Sequence, residues 1–407
     1  MQRSRHMHDY LGGHQLTLLE GTRDFFPALI ADIDQAQHEV RLETYIFHVY
    51  GSGEEVAQAL ERAAQRGVAV MVVVDGVGTP TLPSPWPARL ADAGVQWQVF
   101  SPLGRWGLLV PSRWRRLHRK LCVIDGQAAY CGGINVLDDW FDPNYGVLSA
   151  PRFDFAVRVT GPLVQSVHAA MTQFWWRLRA VRSAQQVDWS SAWQALQNAV
   201  VASRLPEQAP LKPALGGARA VLVLRDNVRH RRRIERAYLQ ALADARQEVV
   251  LVNAYFLPGR KMRRALIHAA QRGVRVRLLL QGRYEYFMQY HATRALYQPL
   301  LIAGVEIYEY TRSFLHAKVA VVDKRWVTVG SSNIDPLSLL LAREANVMVQ
   351  DPRFARELSD RLEGALREHA IAVSPAAHML RSIRQKMLDQ AALLLMRTVL
   401  LLNGKRY

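Results

Sequence analysis

Two segments of the sequence carry the same set of reactive and anion-binding side chains. Each has a histidine, a lysine two residues later and an aspartate seven residues after the histidine. They are His118, Lys120 and Asp125 in the first segment and His316, Lys318 and Asp323 in the second. Residues two apart in an extended strand project to the same side, so each histidine would share one site with its lysine. The pattern therefore predicts a nucleophile or proton-transfer group beside a cation.

The residues that follow each segment also correspond. An apolar run continues the strand into a core, the aspartate begins a turn, and a second β run ends in small residues and an asparagine. These small and polar residues include Asn135 in the first copy and Ser331 and Asn333 in the second. Backbone amides and a carboxamide at such a strand end bind phosphate oxygens. A single His-x-Lys would indicate only a solvent-facing pair, whereas two copies in register indicate a shared function.

The two segments belong to a repeat that covers most of the chain. The sequence AAQRGV occurs at residues 63–68 and again 206 residues later, each time after a helix-like stretch and before a β-rich one. Alternation of strands and helices predicts an α/β fold. Pro and Gly concentrate between the halves, as in a linker. We predict an N-terminal lobe at 1–204, a linker at 205–217, a C-terminal lobe at 218–373 and an amphipathic tail at 374–407.

Composition limits the partners of this chain. Its 407 residues are 50% apolar and 21% charged, which excludes a disordered or collagen-like protein. A formal charge of +17 indicates a polyanionic partner, either nucleic acid or the anionic face of a membrane. The two cysteines, Cys122 and Cys131, lack metal-ligand spacing and are expected to be reduced. Neither a signal peptide nor a conventional membrane-spanning helix is predicted, so we expect a cytoplasmic protein.

The paired segments match the HxKxxxxD motif of the phospholipase D superfamily, and the chain resembles that superfamily over nearly its whole length. The sequences GGIN at 132–135 and GSSN at 330–333 are similar to those that follow the motif in the family. LETYIF near Glu43 and NAYFLPG from Asn253 are most similar to bacterial cardiolipin synthases of type B. The resemblance implies two similar lobes, each a mixed β-sheet flanked by helices, that are related by a pseudo-twofold axis and share one active site.

The resemblance also implies a mechanism without metal or cofactor. One histidine would attack phosphorus and become a phosphohistidine, while the other would protonate the departing alcohol. The family's pattern assigns the nucleophile to His118 and the acid and base to His316. Groups that would hold the phosphate oxygens are Lys120, Lys318, Asn135, Asn333 and Ser331. The motif aspartates Asp125 and Asp323 are expected to stabilise turns more than to take part in chemistry.

A histidine nucleophile needs one ring nitrogen fixed by a hydrogen bond, so an acidic residue is expected downstream of each motif. Asp154 and Glu344 match this expectation, each before a β-like run. By analogy with other base-orienting pairs, we predict that they orient the histidines. The alternative is that both are solvated carboxylates at strand edges.

Two regions indicate contact with lipid. Residues 101–116 combine tryptophans and aliphatic residues with arginines and contain no acid, which is typical of an interfacial segment. An ordinary surface loop is the alternative. The tail alternates cations and aliphatic residues and is expected either to lie along a bilayer or to pack on the catalytic body.

The function that the resemblance implies is that of a cardiolipin synthase. It would transfer a phosphatidyl group from one phospholipid to the hydroxyl of another, with phosphatidylglycerol as the first expected substrate and phosphatidylethanolamine as the second. The predicted location is the cytoplasmic face of the bacterial inner membrane, as a peripheral protein on an anionic surface. Alternatives are a phospholipase D-type hydrolase, a nuclease and a catalytically silent scaffold. The apolar residues around the site argue against a nucleic-acid partner.

Overall fold

The computed structural model describes residues 10–104, 107, 114–204, 217–226, 232–335 and 342–402. The chain forms two compact units. The first comprises Met1–Asp138 and Ala156–Leu222, and the second comprises Asp139–Phe155 and Val223–Tyr407. The second unit therefore includes a short segment that lies, in the sequence, just after the first motif.

Strands and helices follow one another along the chain. Those up to residue 225 are β1 (Leu11–Glu20), α1 (Gly21–Gln35), β2 (Glu39–Thr44), α2 (Ser52–Gln65), β3 (Ala69–Asp75), α3 (Trp86–Asp92), β4 (Gln96–Phe100), β5 (Arg116–Leu117), β6 (Lys120–Ile124), β7 (Ala128–Gly132), β8 (Phe141–Asp142), β9 (Gly146–Val147), β10 (Phe155–Thr160), α4 (Leu163–Gln185), α5 (Trp189–Arg204) and β11 (Ala218–Arg225). The remaining elements are α6 (Arg233–Asp244), β12 (Glu248–Asn253), α7 (Arg260–Gln271), β13 (Arg275–Gln281), α8 (Phe287–Arg294), α9 (Tyr297–Ile302), β14 (Glu306–Tyr310), β15 (Lys318–Val322), β16 (Trp326–Gly330), β17 (Ala342–Gln350), α10 (Pro352–His369), β18 (Ala370–Ala372), α11 (Pro375–Met379) and α12 (Ile383–Leu402).

The first unit is a mixed sheet with the strand order β4-β3-β2-β6-β7-β10-β1-β11. Strands β2, β3 and β4 are parallel, and β6 and β7 are antiparallel additions beside β2. Strand β3 is apolar on both faces because helices cover both. Val72 and Val74 belong to the core that includes α1 and α2, whereas Val73 packs with Phe174 and Trp175 of α4.

The second unit repeats this arrangement with the strand order β18-β14-β13-β12-β15-β16-β17. Strands β12, β13 and β14 are parallel, and β15, β16 and β17 continue the sheet as antiparallel strands. Each motif lysine is the first residue of the antiparallel strand next to the parallel set, at β6 and at β15. The α/β fold with two similar units, predicted from the repeat, is confirmed.

The repeated AAQRG sequence ends the corresponding helices in the two units. Helices α2 and α7 stop just before Gly67 and Gly273, whose φ angles are +89° and +87°. This left-handed conformation strains any residue with a Cβ atom, so glycine at this position lets the chain leave the helix and enter the next parallel strand.

The C-terminal helix α12 has two different apolar faces. Ala392 and Leu393 are buried in a cluster with Leu257, Ala292 and Leu296 of the second unit. On the outer surface, Ile383, Met387 and Leu394 remain between 66% and 75% exposed. The tail therefore packs on the second unit through one face and presents the other to solvent. Among the helices described, none has the length and hydropathy that a bilayer span requires.

Candidate active site

The first motif begins on the short stretch between β5 and β6. The ammonium of Lys120 donates a hydrogen bond to the backbone carbonyl of His118 at 2.7 Å. The ring of Tyr45, just after β2, lies 5.1 Å from the imidazole ring of His118 and 5.6 Å from the Lys120 ammonium. The Tyr45 ring therefore restricts the position of the His118 side chain, and Lys120 restricts that of its backbone.

The residue between His118 and Lys120 anchors the motif in the core. Arg119 forms a buried ion pair with Glu43 of β2. Its Nη2 atom donates a hydrogen bond to Oε1 of Glu43 at 2.8 Å. Its guanidinium also lies 4.6 Å from the ring centre of Phe174. Removing one partner from such a buried pair costs about 3–5 kcal/mol because the other charge stays buried without compensation. The LETYIF sequence thus has a structural role as the support of the motif strand.

The second motif repeats the lysine contact and adds a carboxylate. Lys318 is fully buried and donates a hydrogen bond to the backbone carbonyl of His316. The Nδ1 atom of His316 lies 2.6 Å from Oδ2 of Asp154, which is buried. The amides of His316 and Ala317 both donate to the carbonyl of Phe153 at 2.9 Å, which holds the two segments in register.

The contact with Asp154 determines what the histidine can do. Because the carboxylate accepts from Nδ1–H, the remaining nitrogen, Nε2, is the atom that can accept or donate a proton at a substrate. Asp154 is held in turn, because its Oδ1 accepts from the amide of Phe155 at 2.8 Å. A buried carboxylate on Nδ1 also stabilises the imidazolium form, which a general acid needs.

Glu344 and Ser331 contact each other inside the second unit. The hydroxyl of Ser331 donates to Oε2 of Glu344 at 2.5 Å and accepts from the amide of Ala345 at 3.1 Å. Both residues are fully buried. The predicted phosphate-binding serine therefore uses its hydroxyl to position the predicted orienting glutamate. Gly330 before it cannot carry a side chain, because a Cβ atom there would lie 2.3 Å from Asn346.

The two predicted phosphate-binding asparagines occupy corresponding positions. The side-chain oxygen of Asn135 accepts from the amide of Ile46 at 3.2 Å, and that of Asn333 accepts from the amide of Tyr255 at 3.4 Å. Each contact joins the end of the motif hairpin to the loop after the first parallel strand. Since the oxygen is used in this way, Nδ2 is the atom with which each amide would donate to a phosphate oxygen.

The motif aspartates stabilise the backbone beneath the site. The carboxylate of Asp125 accepts from the amides of Gln37, His38 and Glu39, each at 2.8 Å. That of Asp323 accepts in the same way from the amides of residues 246–248 at 2.8–2.9 Å. Both aspartates have positive φ, 49° and 51°, at the turn of the hairpin. Both carboxylates therefore hold backbone amides next to the hairpin turn, and whether they also take part in the chemistry stays a prediction.

We expect Asp125→Asn to lower the free energy of unfolding by about 1 kcal/mol, because the amide group replaces an acceptor with a donor facing backbone N–H groups. Burial alone would raise the pKa of Asp125, but the hydrogen bonds from residues 37–39 outweigh it and lower the pKa. The charge-dependent part of the stabilisation is therefore complete above the ordinary aspartate range and is lost as the pH falls through the lowered pKa. Urea denaturation from pH 7 to pH 3 measures it, with Asp92→Asn at the exposed end of α3 as the control.

Burial lowers the pKa of Lys318 to about 8, although the nearby carboxylates of Asp154 and Glu344 raise it. The lowered pKa of Lys318 matters for activity. In the free protein the ammonium loses its proton as the pH rises through about 8, and a neutral amine no longer stabilises phosphate charge.

We therefore expect kcat/KM for substrate turnover to fall on the alkaline side of about pH 8. In Lys318→Arg the guanidinium stays charged, so this alkaline decline should weaken even though absolute activity is lower. Profiles of kcat/KM from pH 6 to pH 10 for the two proteins test this, and an identical alkaline decline in both would exclude Lys318 as its source.

Several site residues were missed by reasoning from the sequence, although the repeat contained the signal. Asp75 and Gln281 end the equivalent strands β3 and β13. Asp75 accepts from the amide of Leu117 at 2.7 Å and Gln281 from that of Leu315 at 3.4 Å, so each fixes the residue before a motif histidine. Tyr45 has a counterpart in Tyr255, but repeated tyrosines alone do not reveal which contacts they make.

A narrow cleft lies in the second unit near Gln281. Its lining includes Tyr255, Glu285, Tyr286 and Gln289. The hydroxyl of Tyr255 donates to Glu285 at 3.0 Å, and burial raises the pKa of the Glu285 carboxyl. Within the described residues, the buried Oε1 of Gln289 has no hydrogen-bond partner. The cleft thus offers acceptors to a polar ligand.

Two predicted segments fall partly outside the residues that the structure describes. Half of the predicted interfacial segment at 101–116, namely residues 105–106 and 108–113, lies outside the described residues. Residues 205–216 of the predicted linker at 205–217 also lie outside them. The first unit brings together His118, Lys120 and Asn135 around Tyr45. The second unit brings together Asp154, His316, Lys318, Ser331, Asn333 and Glu344.

Comparison with protein families gives a match to both halves of the chain. Residues 29–150 and 238–366 match the family described as "Cardiolipin synthase, PLD-like domain". Cardiolipin synthase B of Salmonella typhi is 40% identical over 354 residues, covering 87% of this chain and 81% of that protein. Cardiolipin synthase B of Escherichia coli K12 is 39% identical over 354 residues, which again cover 87% of this chain and 81% of that protein. The predicted resemblance to bacterial cardiolipin synthases is confirmed.

Solved structures show the same fold at low sequence identity. Phosphatidylserine synthase of Haemophilus influenzae Rd KW20 superposes with a TM-score of 0.68 and 13% identity, with 96% of each chain covered. Polyphosphate kinase of Porphyromonas gingivalis gives a TM-score of 0.55 at 16% identity over 89% of this chain and 49% of that one. At these identities the likeness concerns the fold alone.

Proposed function

The chain belongs to the cardiolipin synthase family of phospholipase D-like enzymes and is a phosphatidyltransferase, and we propose that it joins two molecules of phosphatidylglycerol through a phosphohistidine. The observation that carries this proposal is the pair of complete motifs, each with a lysine fixed on the histidine carbonyl and one with a buried carboxylate on the imidazole. These are the groups that a double displacement at phosphorus needs.

In the first step an imidazole nitrogen of His118 attacks the phosphorus of the donor lipid. A P–N bond forms, the P–O bond to the headgroup glycerol breaks, and the His316 imidazolium donates the proton that the departing oxygen requires. Lys120, Lys318, Asn135 and Asn333 hold the non-bridging oxygens while their charge is redistributed. This half-reaction releases glycerol. It leaves the phosphatidyl group on His118 and a neutral imidazole at His316.

In the second step His316, held by Asp154, removes the proton from a hydroxyl of the acceptor lipid. The alkoxide oxygen attacks phosphorus, the P–N bond breaks, and His118 is regenerated together with the His316 imidazolium. Overall, two phosphatidylglycerol molecules give one cardiolipin and one glycerol. Ser331 contributes to this reaction indirectly, because it positions Glu344, which we propose as a histidine-orienting residue along with Asp154.

The cleft beside Gln281 supports a polyol as the donor's headgroup. Its Glu285 carboxyl and the Gln289 Oε1 atom can accept hydrogen bonds from vicinal hydroxyls, and Gln281 links the cleft to the residue before His316. Phosphatidylethanolamine has an ammonium in place of the diol, and an ammonium only donates hydrogen bonds, so it cannot accept from Arg283 or Arg294 of the same lining as a hydroxyl can. We therefore propose phosphatidylglycerol as the preferred donor.

The proposed location is the cytoplasmic face of the bacterial inner membrane, with the protein bound as a peripheral partner of an anionic surface. The net charge of +17 and the exposed apolar face of α12 support this location. A site that opens into the headgroup layer meets lipid hydroxyls at high local concentration, which favours transfer to lipid over hydrolysis.

Mass spectrometry of the lipids formed by the purified enzyme tests this function. Vesicles of phosphatidylglycerol alone should yield cardiolipin and free glycerol in equal amounts. Adding phosphatidylethanolamine as the only other lipid should leave glycerol as the main released headgroup. Phosphatidic acid as the sole product would show a hydrolase, and cleavage of DNA across a salt series would show a nuclease.

A further inference from the structure

Helices α4 and α5 of the first unit form a hairpin whose outer helix has an unusual distribution of apolar residues. The two helices are joined by the three residues 186–188, and Asp188 begins α5 by accepting from the amide of Ser191 at 3.1 Å. The residues of α5 that are buried in the hairpin are small: Ala192, Ala195, Ala199 and Ala202 are each 4–5% exposed.

The large apolar residues of α5 lie on a different face, in solvent. Trp189, Trp193 and Leu196 are 68%, 65% and 46% exposed. Their spacing of four and then three residues places them on one stripe of the helix. Two solvent-exposed tryptophans on one helical stripe form an apolar patch, and such patches are often sites of protein or membrane interaction.

The charges of the hairpin indicate the partner. Residues 163–204 contain four arginines and a single acid, Asp188, whose carboxylate caps α5. Arg177, Arg179 and Arg182 are exposed on the last turns of α4, beside the loop that leads to the tryptophans. Between Trp189 and Ser203 the sequence contains no charged residue. Tryptophan, aliphatic residues and flanking arginines are the combination that binds the headgroup layer of an anionic bilayer.

We infer that the Trp189–Trp193–Leu196 face of α5 docks in the headgroup layer of an anionic membrane, with the arginines of α4 on lipid phosphates. At 16 residues, α5 is about 24 Å long, which suits a helix in the plane of the interface. The inference rests on the proposed function only in taking a membrane as the partner, and it names the surface that makes the contact.

A second copy of this chain fits the patch less well than lipid does. Two identical hairpins brought face to face would place like-charged arginine clusters together, and like charges oppose association. Three exposed side chains also supply a few hundred Å² at most, whereas a stable interface buries about 800 Å² on each partner. A lipid surface avoids both difficulties. It is anionic, so it attracts the arginines, and binding to it does not require a fixed contact area.

Binding to vesicles of phosphatidylglycerol mixed with phosphatidylcholine tests the docking surface. Trp189→Ser/Trp193→Ser should lower the partition coefficient about tenfold or more, since two large apolar groups no longer leave water. Arg177→Gln/Arg182→Gln should lower it by several-fold in anionic vesicles and little in pure phosphatidylcholine. Ile302→Ser is the matched control, because Ile302 is 72% exposed on α9 of the second unit.

A second readout places the tryptophans directly. Lipids brominated on the acyl chain should quench part of the wild-type fluorescence, and Trp189→Phe/Trp193→Phe, which keeps the apolar face, should remove that part. Equal vesicle binding by wild type and the serine variant would overturn the inference. So would light scattering that shows a dimer of the wild type and a monomer of the variant with unchanged lipid binding.

These outcomes are separable from those of the proposed function. The serine variant should keep its turnover of phosphatidylglycerol in detergent micelles, where docking on a bilayer is not needed. Vesicle binding that depends on the tryptophans without any cardiolipin formed would reject the transfer reaction and leave the docking surface in place. Cardiolipin formation together with vesicle binding that does not depend on the tryptophans would reject the docking surface and leave the transfer reaction in place.

Discussion

His118→Ala and His316→Ala should each lose phosphatidyl transfer by about 10⁴-fold or more, and a reactive substrate should then separate their roles. A phosphatidyl ester of p-nitrophenol has a leaving group that needs no proton. His316→Ala should release p-nitrophenol from it in a burst, because His118 can still attack phosphorus. His118→Ala should release none, because the nucleophile is absent.

Two observations would contradict this assignment. A burst from His118→Ala together with none from His316→Ala would exchange the roles of the histidines. A loss of activity in His268→Ala, which changes an exposed histidine on α7, would show that the assay responds to histidine removal in general. Thermal unfolding of the three variants confirms that each comparison is made between folded proteins.

Asp154→Asn should lower cardiolipin formation by about 10²- to 10⁴-fold while the protein stays folded. The amide keeps the size of the carboxylate but not its charge, so the imidazolium at His316, 2.6 Å away, loses its stabilising partner.

Asp154 is a positioning residue, and the leaving-group test distinguishes this role from a purely structural one. The p-nitrophenyl substrate should restore the first half-reaction of Asp154→Asn, because no proton donor is required there. The control is Asp360→Asn, which changes an exposed aspartate on α10. An Asp154→Asn enzyme that is equally impaired with both leaving groups would refute the positioning role.

The fold could be predicted from the sequence because the repeat carries it. The duplicated AAQRG sequence marks the same helix end twice, and only a glycine suits the positive φ at Gly67 and Gly273. Paired motifs also located the lysines and asparagines, since alternation along a strand fixes which residues share a side. These are local rules, and they apply to each copy separately.

The contacts that depend on distant segments could not be predicted. Asp154 follows the first motif in the sequence, yet its carboxylate contacts His316 of the second motif, because the backbone of Phe153 bonds to the amides of residues 316 and 317. Ser331 could likewise be recognised as small and polar, but not as the partner of Glu344. No periodicity in a sequence encodes such pairings.

The exposed face of α5 shows a second reason why sequence does not determine structure locally. A tryptophan and leucine pattern at helical spacing ordinarily indicates a buried face. Here the alanines occupy the packed face instead, and the large residues are exposed. Which face is buried depends on the partner helix α4, whose close approach requires small residues, and the sequence of α5 alone does not specify it.

Covalent trapping tests the central claim most directly. His316→Ala, mixed with p-nitrophenyl phosphatidyl ester and quenched at high pH, where a phosphohistidine survives, should yield on proteolysis a peptide that carries a phosphatidyl group on His118. Adding phosphatidylglycerol before the quench should leave that adduct in place, because this variant lacks the base that activates the acceptor. An adduct on another residue, or no adduct while p-nitrophenol is released, would contradict the account.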